Sequence, residues 1–382
     1  QGIEKEKAEK QAPLMLEAQA MLRLWEQGDT ETVALWKQLN TWVYAGFAET
    51  YQKIGTHFDK TYYESQTYLL GKEVVEEGLQ SGVFYRKDDN SVWIDLIAEG
   101  LDQKLVLRSD GTSVYITQDL GTTDLKFSDF HNERSIWVVG NEQDYHFQVL
   151  FSIMRRLGRP YADGCFHLSY GMVDLPTGKM KSREGTVVDA DDLVATVTEA
   201  ARAAADEAAK GKMDEFAPNE QETLFQMIGL GALKYYLLKV DAQKRMLFNP
   251  EESVDVHGHT GPFIQYTYAR TRSVLRKVAE MGLDIPAELP AVAFHPTEQQ
   301  LLFLLSQYPQ RLAEAGVDYA PSYIAQYAYE LAKTFNQFYA EVSILSEPNP
   351  NILLVRVVLA DLVGQTIKKA MALLGIEVPE KM

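Results

Sequence analysis

The 382-residue chain has a single cysteine, Cys165, so it contains no internal disulfide framework. Such sparing use of cysteine is typical of a reducing compartment, and we expect a cytoplasmic protein. No run of 18 or more apolar residues occurs, because Arg356 and Asp361 interrupt the most apolar stretch, so no membrane span is predicted. Basic residues number 37 against 54 acidic ones, a net charge of −17. This balance argues against a general polyanion binder but permits a local basic stripe.

Several catalytic motifs are also absent. The sequence has no GxxxxGK[ST] phosphate-binding loop and no GxSxG nucleophile elbow. No metal site is predicted, because His257 and His259 are too close together and no other histidine, cysteine or carboxylate set completes a cluster. These absences argue against a Walker-type ATPase, a hydrolase with a nucleophile elbow and a zinc centre.

Hydrophobic periodicity divides the chain into a helical start, a mixed middle and a helical end. Apolar residues recur at helical spacing through about the first 55 residues. The segment GVFYRKDDNSVWIDLI predicts a hairpin around residues 88–90, and KLVLRSDGTSVYITQDLG predicts a strand, a turn and a short helix. Beyond Asp189 the pattern stays helical, with a capping box predicted at Asn219 and Glu222.

The segment SIWVVGNEQDYHFQVLFSIMRRLG, followed by FHLSYGMV, has the order strand, helix, strand. Asn141 is the predicted N-cap of the helix, whose apolar residues share one face. This spacing predicts a βαβ unit and hence a parallel sheet. Ligands of such sheets bind at the carboxyl ends of the strands, where GNEQDYH and YGMVDLPTGKMKSREGT are expected.

The second of these stretches contains a cationic loop, GKMKSREGT. Its lysines, serine and arginine can meet the oxygens of a triphosphate, and its glycines allow backbone N–H groups to approach closely. Taken alone, the loop is equally well interpreted as a solvated polar turn. The rest of the chain is therefore needed to choose between these two interpretations of the loop.

The loop resembles the KMSKS signature of class I aminoacyl-tRNA synthetases, which follows the last strand of a Rossmann fold and stabilises the pyrophosphate leaving group. Lys179 and Met180 match its first two positions, whereas Lys181, Ser182 and Arg183 depart from it. The resemblance implies that these five residues bind ATP, with Lys181 or Arg183 in place of the second family lysine.

Two further segments, RSDGTSVYITQDLG and WVVGNEQDYHFQ, resemble arginyl-tRNA synthetase. Tyr115 and Asp119 are four residues apart, so a helix places both on one face. A carboxylate beside a phenol suits a guanidinium group, through a charge-assisted pair and a stacked ring. The resemblance implies that both residues hold the arginine side chain and that Gln143 orients the substrate. Without this resemblance, the helix is interpreted as carrying a solvated acid and a half-buried tyrosine.

The resemblance also extends to the nucleotide pocket. Gly171 and Met172 are expected to present their backbone to the adenine ring of ATP, with Mg²⁺ accompanying ATP without a dedicated protein cage. His146 lies near the same strand end and either lines this pocket or is a packing residue of its helix. His167 alternates with apolar neighbours, so we expect a hydrogen-bonded core histidine there.

The segment TGPFIQYTYARTRSVLRK predicts a helix with two different faces. Its interior face is predicted to carry Thr267, Thr271, Val274 and Val278. Its other side carries aromatic and arginine residues that suit base stacking and phosphate contact, namely Tyr266, Tyr268, Arg270, Arg272 and Arg276. A solvated basic face is the alternative. The resemblance implies an all-helical DALR-type domain that grips the anticodon stem and loop.

One departure from the family is clear, because the sequence has no H-x-G-H motif and nothing that corresponds to the family's N-terminal domain. We therefore expect the C-terminal two-thirds of such an enzyme, truncated before that motif and catalytically incomplete. The expected fold is an α/β Rossmann-type half with an incomplete parallel sheet, followed by an all-α bundle. The expected domains are a helical connector (1–57), the Rossmann-like half (58–188), a helical stem-contact region (189–257) and the anticodon-binding domain (258–382).

The function implied by the resemblance is that of an arginine–tRNA ligase, which activates arginine with ATP and transfers it to tRNA(Arg). Arginine, ATP and tRNA(Arg) are the expected partners of a monomer that does not bind membranes. Two alternatives remain open. One is a tRNA-binding module with a vestigial nucleotide site, favoured by the missing motif. The other is a nucleotidylyltransferase of the same superfold with a small-molecule acceptor, against which the helical domain counts.

Overall fold

The computed structural model describes residues 12–67, 70–174, 189–209, 216–285 and 288–382. The chain divides into two compact units, one ending at Asp59 and the other beginning at Lys60. The described part of the first unit, from residue 12 on, contains two helices, α1 (Pro13–Glu26) and α2 (Thr30–Ile54), which confirm the helical start. The Asp29 carboxylate caps α2 by accepting a hydrogen bond from the Thr32 N–H group at 3.0 Å.

The second unit opens with two short helices and an antiparallel sheet. Its first elements are α3 (Glu64–Thr67), α4 (Gly71–Gln80), β1 (Tyr85–Arg86), β2 (Val92–Asp95) and β3 (Gln103–Leu107). The three strands pair in the order β1-β2-β3, and Asn90 in the turn between β1 and β2 has a φ of 67°. The predicted hairpin is therefore confirmed, with an asparagine at the left-handed position that this residue type tolerates.

A parallel βαβ unit follows. Its elements are α5 (Tyr115–Phe130), β4 (Ser135–Gly140), α6 (Asp144–Arg156) and β5 (Cys165–Tyr170). Strands β4 and β5 pair in parallel from Ser135 opposite Cys165 to Gly140 opposite Tyr170, which confirms the predicted parallel pair. Phe147, Leu150, Phe151 and Met154 of α6 are buried in the core of this half.

The predicted N-cap of α6 is wrong. Asn141 lies instead in a short 3₁₀ helix, Asn141–Gln143, and α6 begins at Asp144 with Gln143 as an N-cap whose side chain makes no capping bond. The three residues after β4 therefore form a tight turn, and the α-helix begins only after it.

The next elements connect this half to the helical end of the chain. They are β6 (Val173–Asp174), α7 (Ala190–Ala209), α8 (Pro218–Leu238), β7 (Met246–Leu247) and α9 (Pro250–Ser253). Strands β6 and β7 form a second parallel pair. The predicted capping box of α8 is wrong, because a proline at the first helical position moves the N-cap to Ala217, whose N–H donates to Glu220 at 2.9 Å. Glu222 pairs instead with Arg202 of α7 at 2.5 Å.

Four long helices form the last region, α10 (Gly261–Glu280), α11 (Pro296–Val317), α12 (Pro321–Glu341) and α13 (Pro350–Leu373). They share one apolar core that includes Leu331, Phe335, Phe338 and Val363. Among the described helices, α13 alone is long and apolar enough to cross a membrane, but half of that apolar window is buried inside the structure. Its apolar composition is thus accounted for by packing within the bundle.

Candidate functional site

Helix α5 is fixed in place by close contacts along its buried side. The Thr117 hydroxyl donates to the Val106 carbonyl of β3. Gly121 faces Gly71 of α4 so closely that a Cβ added to Gly121 would lie 2.5 Å from the Gly71 nitrogen. Helices α4 and α5 can cross at this distance only because both positions lack a side chain. These two contacts fix the position of α5, and with it the position of the residues on its opposite side.

Tyr115 and Asp119 project from this fixed helix. Tyr115 is its first residue and is 77% exposed, more than the half-buried tyrosine of the alternative interpretation. The Asp119 side chain, one turn further, is 43% exposed. A phenol and a carboxylate are thus both accessible to a ligand, and their assignment to arginine stays a prediction.

Asp119 contacts the start of the neighbouring helix. Its Oδ2 atom lies 2.6 Å from Nε2 of His146, in the first turn of α6. A carboxylate oxygen can only accept, so the imidazole donates the hydrogen bond. The His146 ring stands edge-on to Phe147 at 5.5 Å. Gln143 lies three residues earlier and is exposed, so residues from α5 and α6 meet beyond the carboxyl end of β4.

A lysine lies in the electrostatic field of the same carboxylate. Burial lowers the pKa of Lys126, two turns after Asp119 on α5, and the negative charge of Asp119 opposes that shift. The Lys126 ammonium is also 5.7 Å from the centroid of the Trp137 ring. Sequence reasoning missed Lys126, whose charge is thus coupled to that of Asp119.

His167 is the hydrogen-bonded core histidine that its alternating pattern predicts. Its side chain is 9% exposed, with Nε2 3.0 Å from the Val139 carbonyl oxygen and Nδ1 3.4 Å from Asp144 Oδ1. The ring stacks on Phe147 at 4.2 Å. Asp144 also accepts a 2.7 Å hydrogen bond from the Ser169 hydroxyl, so one carboxylate ties the start of α6 to the end of β5.

The backbone of residues 171–172 is engaged by a neighbouring segment. The Gly171 N–H donates to the Ala242 carbonyl at 2.7 Å, and the Met172 carbonyl accepts from the Met246 N–H at 3.1 Å. A Cβ on Gly171 would lie 2.6 Å from the Lys244 carbonyl carbon. The Gly171 N–H group is thus already bonded within the protein, and the glycine is required by the approach of this segment. The assignment of the Gly171 and Met172 backbone to the adenine ring stays a prediction.

The cationic loop cannot be placed, because Lys179, Met180, Lys181, Ser182 and Arg183 lie outside the described residues. Their assignment to ATP stays a prediction. Within the part of the chain that the structure describes, no group of three or more histidine, cysteine, aspartate or glutamate side chains could hold a metal ion.

The interior face of α10 is as predicted, with all four of its members buried, namely Thr267, Thr271, Val274 and Val278. The prediction for Tyr268 is wrong. Its side chain is 2% exposed, and its hydroxyl donates to Glu380 Oε1 at 2.5 Å. Burial, with the nearby Glu380 carboxylate, raises the pKa of Tyr268 to about 12. A buried ring cannot stack on an exposed base.

Arg272 and Arg276 contact the C-terminal segment. Arg272 donates to Glu380 Oε2 at 3.0 Å and to Asp361 Oδ1 at 3.2 Å, while Arg276 donates to the Glu380 carbonyl at 2.8 Å. Both guanidinium groups thus have acceptors within the protein. A contribution to tRNA binding stays a prediction for them.

Tyr266 and Arg270 form a different arrangement. The Arg270 guanidinium lies 4.9 Å from the ring centroids of both Tyr266 and Tyr339, and it donates to the Asn336 side-chain oxygen. Both rings are about two-fifths exposed, Tyr266 at 40% and Tyr339 at 41%. Sequence reasoning missed Tyr339 and Asn336 of α12, although their spacing of three residues places them on one helix face. We call Tyr266, Arg270 and Tyr339 the aromatic–arginine sandwich.

Comparisons with known proteins agree with this architecture. Residues 3–249 match the family described as tRNA synthetases class I (R), catalytic domain, and residues 264–382 match the DALR anticodon binding domain. The arginine–tRNA ligase of Amoebophilus asiaticus is 57% identical over 379 residues, which cover 99% of this chain and 63% of that protein. The arginine–tRNA ligase of Parabacteroides distasonis is 55% identical over 382 residues, which cover 100% of this chain and 64% of that protein.

Solved structures share the fold. The arginyl-tRNA synthetase of Thermus thermophilus has a TM-score of 0.82 at 23% identity, over 99% of this chain and 68% of that one. The Plasmodium falciparum arginyl-tRNA synthetase has a TM-score of 0.81 at 20% identity, over 97% of this chain and 63% of that one. The chain spans slightly less than two thirds of the length of the curated relatives given above. Because the catalytic-domain match covers more than half of the chain, the chain belongs to the class I tRNA synthetase family of the arginyl type.

Proposed function

We propose that the protein acts as an arginine–tRNA ligase, which activates arginine with ATP to arginyl-adenylate and transfers the arginyl group to tRNA(Arg). The observation that carries this proposal is the accessible Asp119 carboxylate, one helical turn from the Tyr115 phenol and held by His146 beyond the end of β4. A carboxylate of this kind is the natural partner of a guanidinium group.

In this proposal Asp119 accepts two N–H groups of the substrate guanidinium while the Tyr115 ring covers it and Gln143 orients the substrate. Lysine has no planar fork of donors, so it should bind less well, by about 2–4 kcal/mol. The carboxylate of arginine then attacks the α-phosphate of ATP, and pyrophosphate leaves. Such chemistry needs positioning and charge stabilisation rather than a covalent intermediate.

ATP and Mg²⁺ enter the proposal as substrate. Lys179 and either Lys181 or Arg183 would neutralise charge on the leaving pyrophosphate, with Met180 and Ser182 in the same loop. Mg²⁺ would be held by the phosphates and water, as is usual for this ion.

The tRNA-binding part of the proposal rests on the aromatic–arginine sandwich of α10 and α12. Two partly exposed rings with a guanidinium between them can stack on unpaired bases, and each stacked base contributes about 1–3 kcal/mol. Arg272 and Arg276 lie on the same helix and would add phosphate contacts only in exchange for their present acceptors.

The amino-acid assignment is tested by Asp119→Asn, which keeps the shape of the side chain and removes its charge. We expect arginine binding, measured by isothermal titration calorimetry with arginine, lysine and citrulline, to weaken by about 2–4 kcal/mol. Asp163→Asn is the matched control, because the Asp163 side chain is 96% exposed and lies on a surface turn. Equal arginine affinity in both variants would reject the assignment.

The two alternative functions give different results in the same titrations. A tRNA-binding module would bind tRNA(Arg) but show no saturable arginine binding. A nucleotidylyltransferase would bind ATP without preferring arginine to lysine. Family membership favours the ligase over both alternatives.

A further inference from the structure

The strongest unexplained feature of the site is the 2.6 Å contact between His146 and Asp119. It joins two residues that are 27 positions apart in the chain and lie on different helices, and it engages the one carboxylate that the proposed function gives to the substrate. The imidazole is only 24% exposed, whereas the carboxylate is 43% exposed. The histidine therefore lies on the protein side of the carboxylate, and the substrate would approach from the solvent side.

A planar guanidinium is bound best when both carboxylate oxygens face it in one plane. An aspartate carboxylate rotates broadly about its terminal bond, so a free Asp119 would sample many orientations. A hydrogen bond to Oδ2 removes this freedom and leaves Oδ1 and a second lone pair of Oδ2 for a ligand. Fixing the carboxylate before arginine arrives lowers the entropy that binding must overcome.

The donor itself is held on two sides. His146 packs edge-on against Phe147, and the N-terminus of α6 that carries both rings is tied to β5 by the hydrogen bond from the Ser169 hydroxyl to Asp144. The His146 imidazole therefore has a fixed position relative to the strand end. A side chain fixed in this way can hold its partner in a productive orientation.

The chemical type of the donor also matters. An imidazole gives the carboxylate one N–H donor from a single ring nitrogen. An arginine or lysine at the same position would neutralise Asp119 and compete with the substrate for it.

We infer that His146 is a positioning residue for guanidinium recognition, which orients Asp119 toward arginine, and not a ligand of the nucleotide. This inference rests on the proposed function, because it assumes that Asp119 receives the substrate side chain. It predicts that changes at His146 alter arginine affinity selectively and leave ATP affinity unchanged.

Two substitutions separate the hydrogen bond from packing. His146→Phe keeps a ring against Phe147 but removes the donor, whereas His146→Gln keeps an N–H group near the position of Nε2 but removes the ring. We expect His146→Phe to raise the dissociation constant for arginine about 10- to 100-fold, the usual value of a hydrogen bond to a charged group. His146→Gln should restore arginine affinity to within about threefold of the original protein.

The measurements are titrations of arginine and of ATP on the 382-residue chain, and KM values for both on a chimera that adds the part of the Amoebophilus asiaticus relative which this chain does not cover. ATP parameters should change by less than about twofold in both variants. In the Asp119→Asn background, His146→Phe should have little further effect on arginine, because the orientated charge is gone.

His167→Phe is the matched control, since His167 stacks on the same Phe147 but contacts Asp144 rather than Asp119. We expect it to lower the melting temperature without a selective loss of arginine affinity. The inference is overturned if His146→Phe changes arginine and ATP affinity equally, or if His146→Gln does not restore the former. If the original protein binds no arginine at all, the proposed function fails instead, so the two failures can be told apart.

Discussion

The helical bundle and the α/β half use their charged groups in opposite ways. In the bundle, Arg356 of α13 donates to Glu298 and to Glu347, both at 2.6 Å, and the Glu298 side chain is 1% exposed. In the α/β half, Asp119 is held by one imidazole and remains accessible. An enclosed pair of this kind fixes helices relative to one another, whereas a half-exposed carboxylate stays available for a ligand. Substitutions should therefore change stability in the first region and binding in the second.

The largest expected effect is on the buried pair. Glu298→Ala leaves the enclosed Arg356 with one carboxylate fewer and also removes the acceptor of the His295 N–H at the start of α11. Breaking a buried ion pair is costly because the remaining charge stays desolvated, so we expect a loss of about 3 kcal/mol in the free energy of unfolding. Guanidinium chloride denaturation measures it.

Asp119→Asn serves as the comparison within the same assay. Its side chain is partly solvated, so its free energy of unfolding should change by less than about 1 kcal/mol. If both variants lose the same stability, the contrast between the two regions does not hold. If Glu298→Ala is harmless, the ion pair is dispensable to the bundle.

Local sequence patterns predicted elements whose causes lie close together in the chain. The parallel βαβ unit, the hairpin turn at Asn90 and the buried face of α10 follow from periodicity and turn residues, and the structure confirms them. The capping box at Asn219 and Glu222 failed for a reason also visible in the sequence, because Pro218 marks the first position of the helix.

Long-range partners could not be predicted in this way. Tyr268 is buried in the core of the bundle and its hydroxyl contacts Glu380, which is 112 residues away, and no spacing rule connects them. Gly171 is required by the approach of residues 242–245, which the sequence does not place beside it. The contact between His146 and Asp119 likewise depends on how two helices pack. The chemistry of each side chain was readable from the sequence, but its partner was not.

The next largest expected effect concerns the arginines of α10. The sequence predicts the same tRNA-binding role for Arg270 and Arg272, whereas the structure gives them different partners. Arg270→Ala removes the centre of the aromatic–arginine sandwich, so we expect tRNA binding to weaken by about 1–3 kcal/mol. Arg272→Ala should cost less, because that guanidinium already has acceptors in Glu380 and Asp361. Filter binding of tRNA(Arg) at several salt concentrations measures both affinity and salt dependence.

Equal losses for the two variants would show that Arg272 exchanges its protein acceptors for phosphates. The two arginines of α10 would then not differ in their contribution to tRNA binding. Tyr339→Ala gives an independent check of the sandwich, because it removes one ring from α12 and leaves every residue of α10 unchanged. It should weaken binding by an amount similar to Arg270→Ala.

The smallest expected effect is the pH dependence contributed by Glu380. Burial raises the pKa of this carboxyl, but the hydrogen bond from Tyr268 and the charge of Arg272 outweigh it, so the pKa lies below its ordinary value of 4.5. A carboxyl whose pKa is lowered by folding stabilises the folded state above the unfolded pKa, and this stabilisation is lost as the pH falls through the folded value.

The original protein and Glu380→Gln should therefore differ in stability by less than about 1 kcal/mol near neutral pH, since the carboxylate is largely solvated. That difference should disappear as the pH falls below 4.5 toward the lower folded value. Urea denaturation between neutral pH and pH values below 4.5 measures it. A constant difference across this range would show that the effect of the substitution does not depend on ionisation of Glu380, and the explanation by its charge would be rejected.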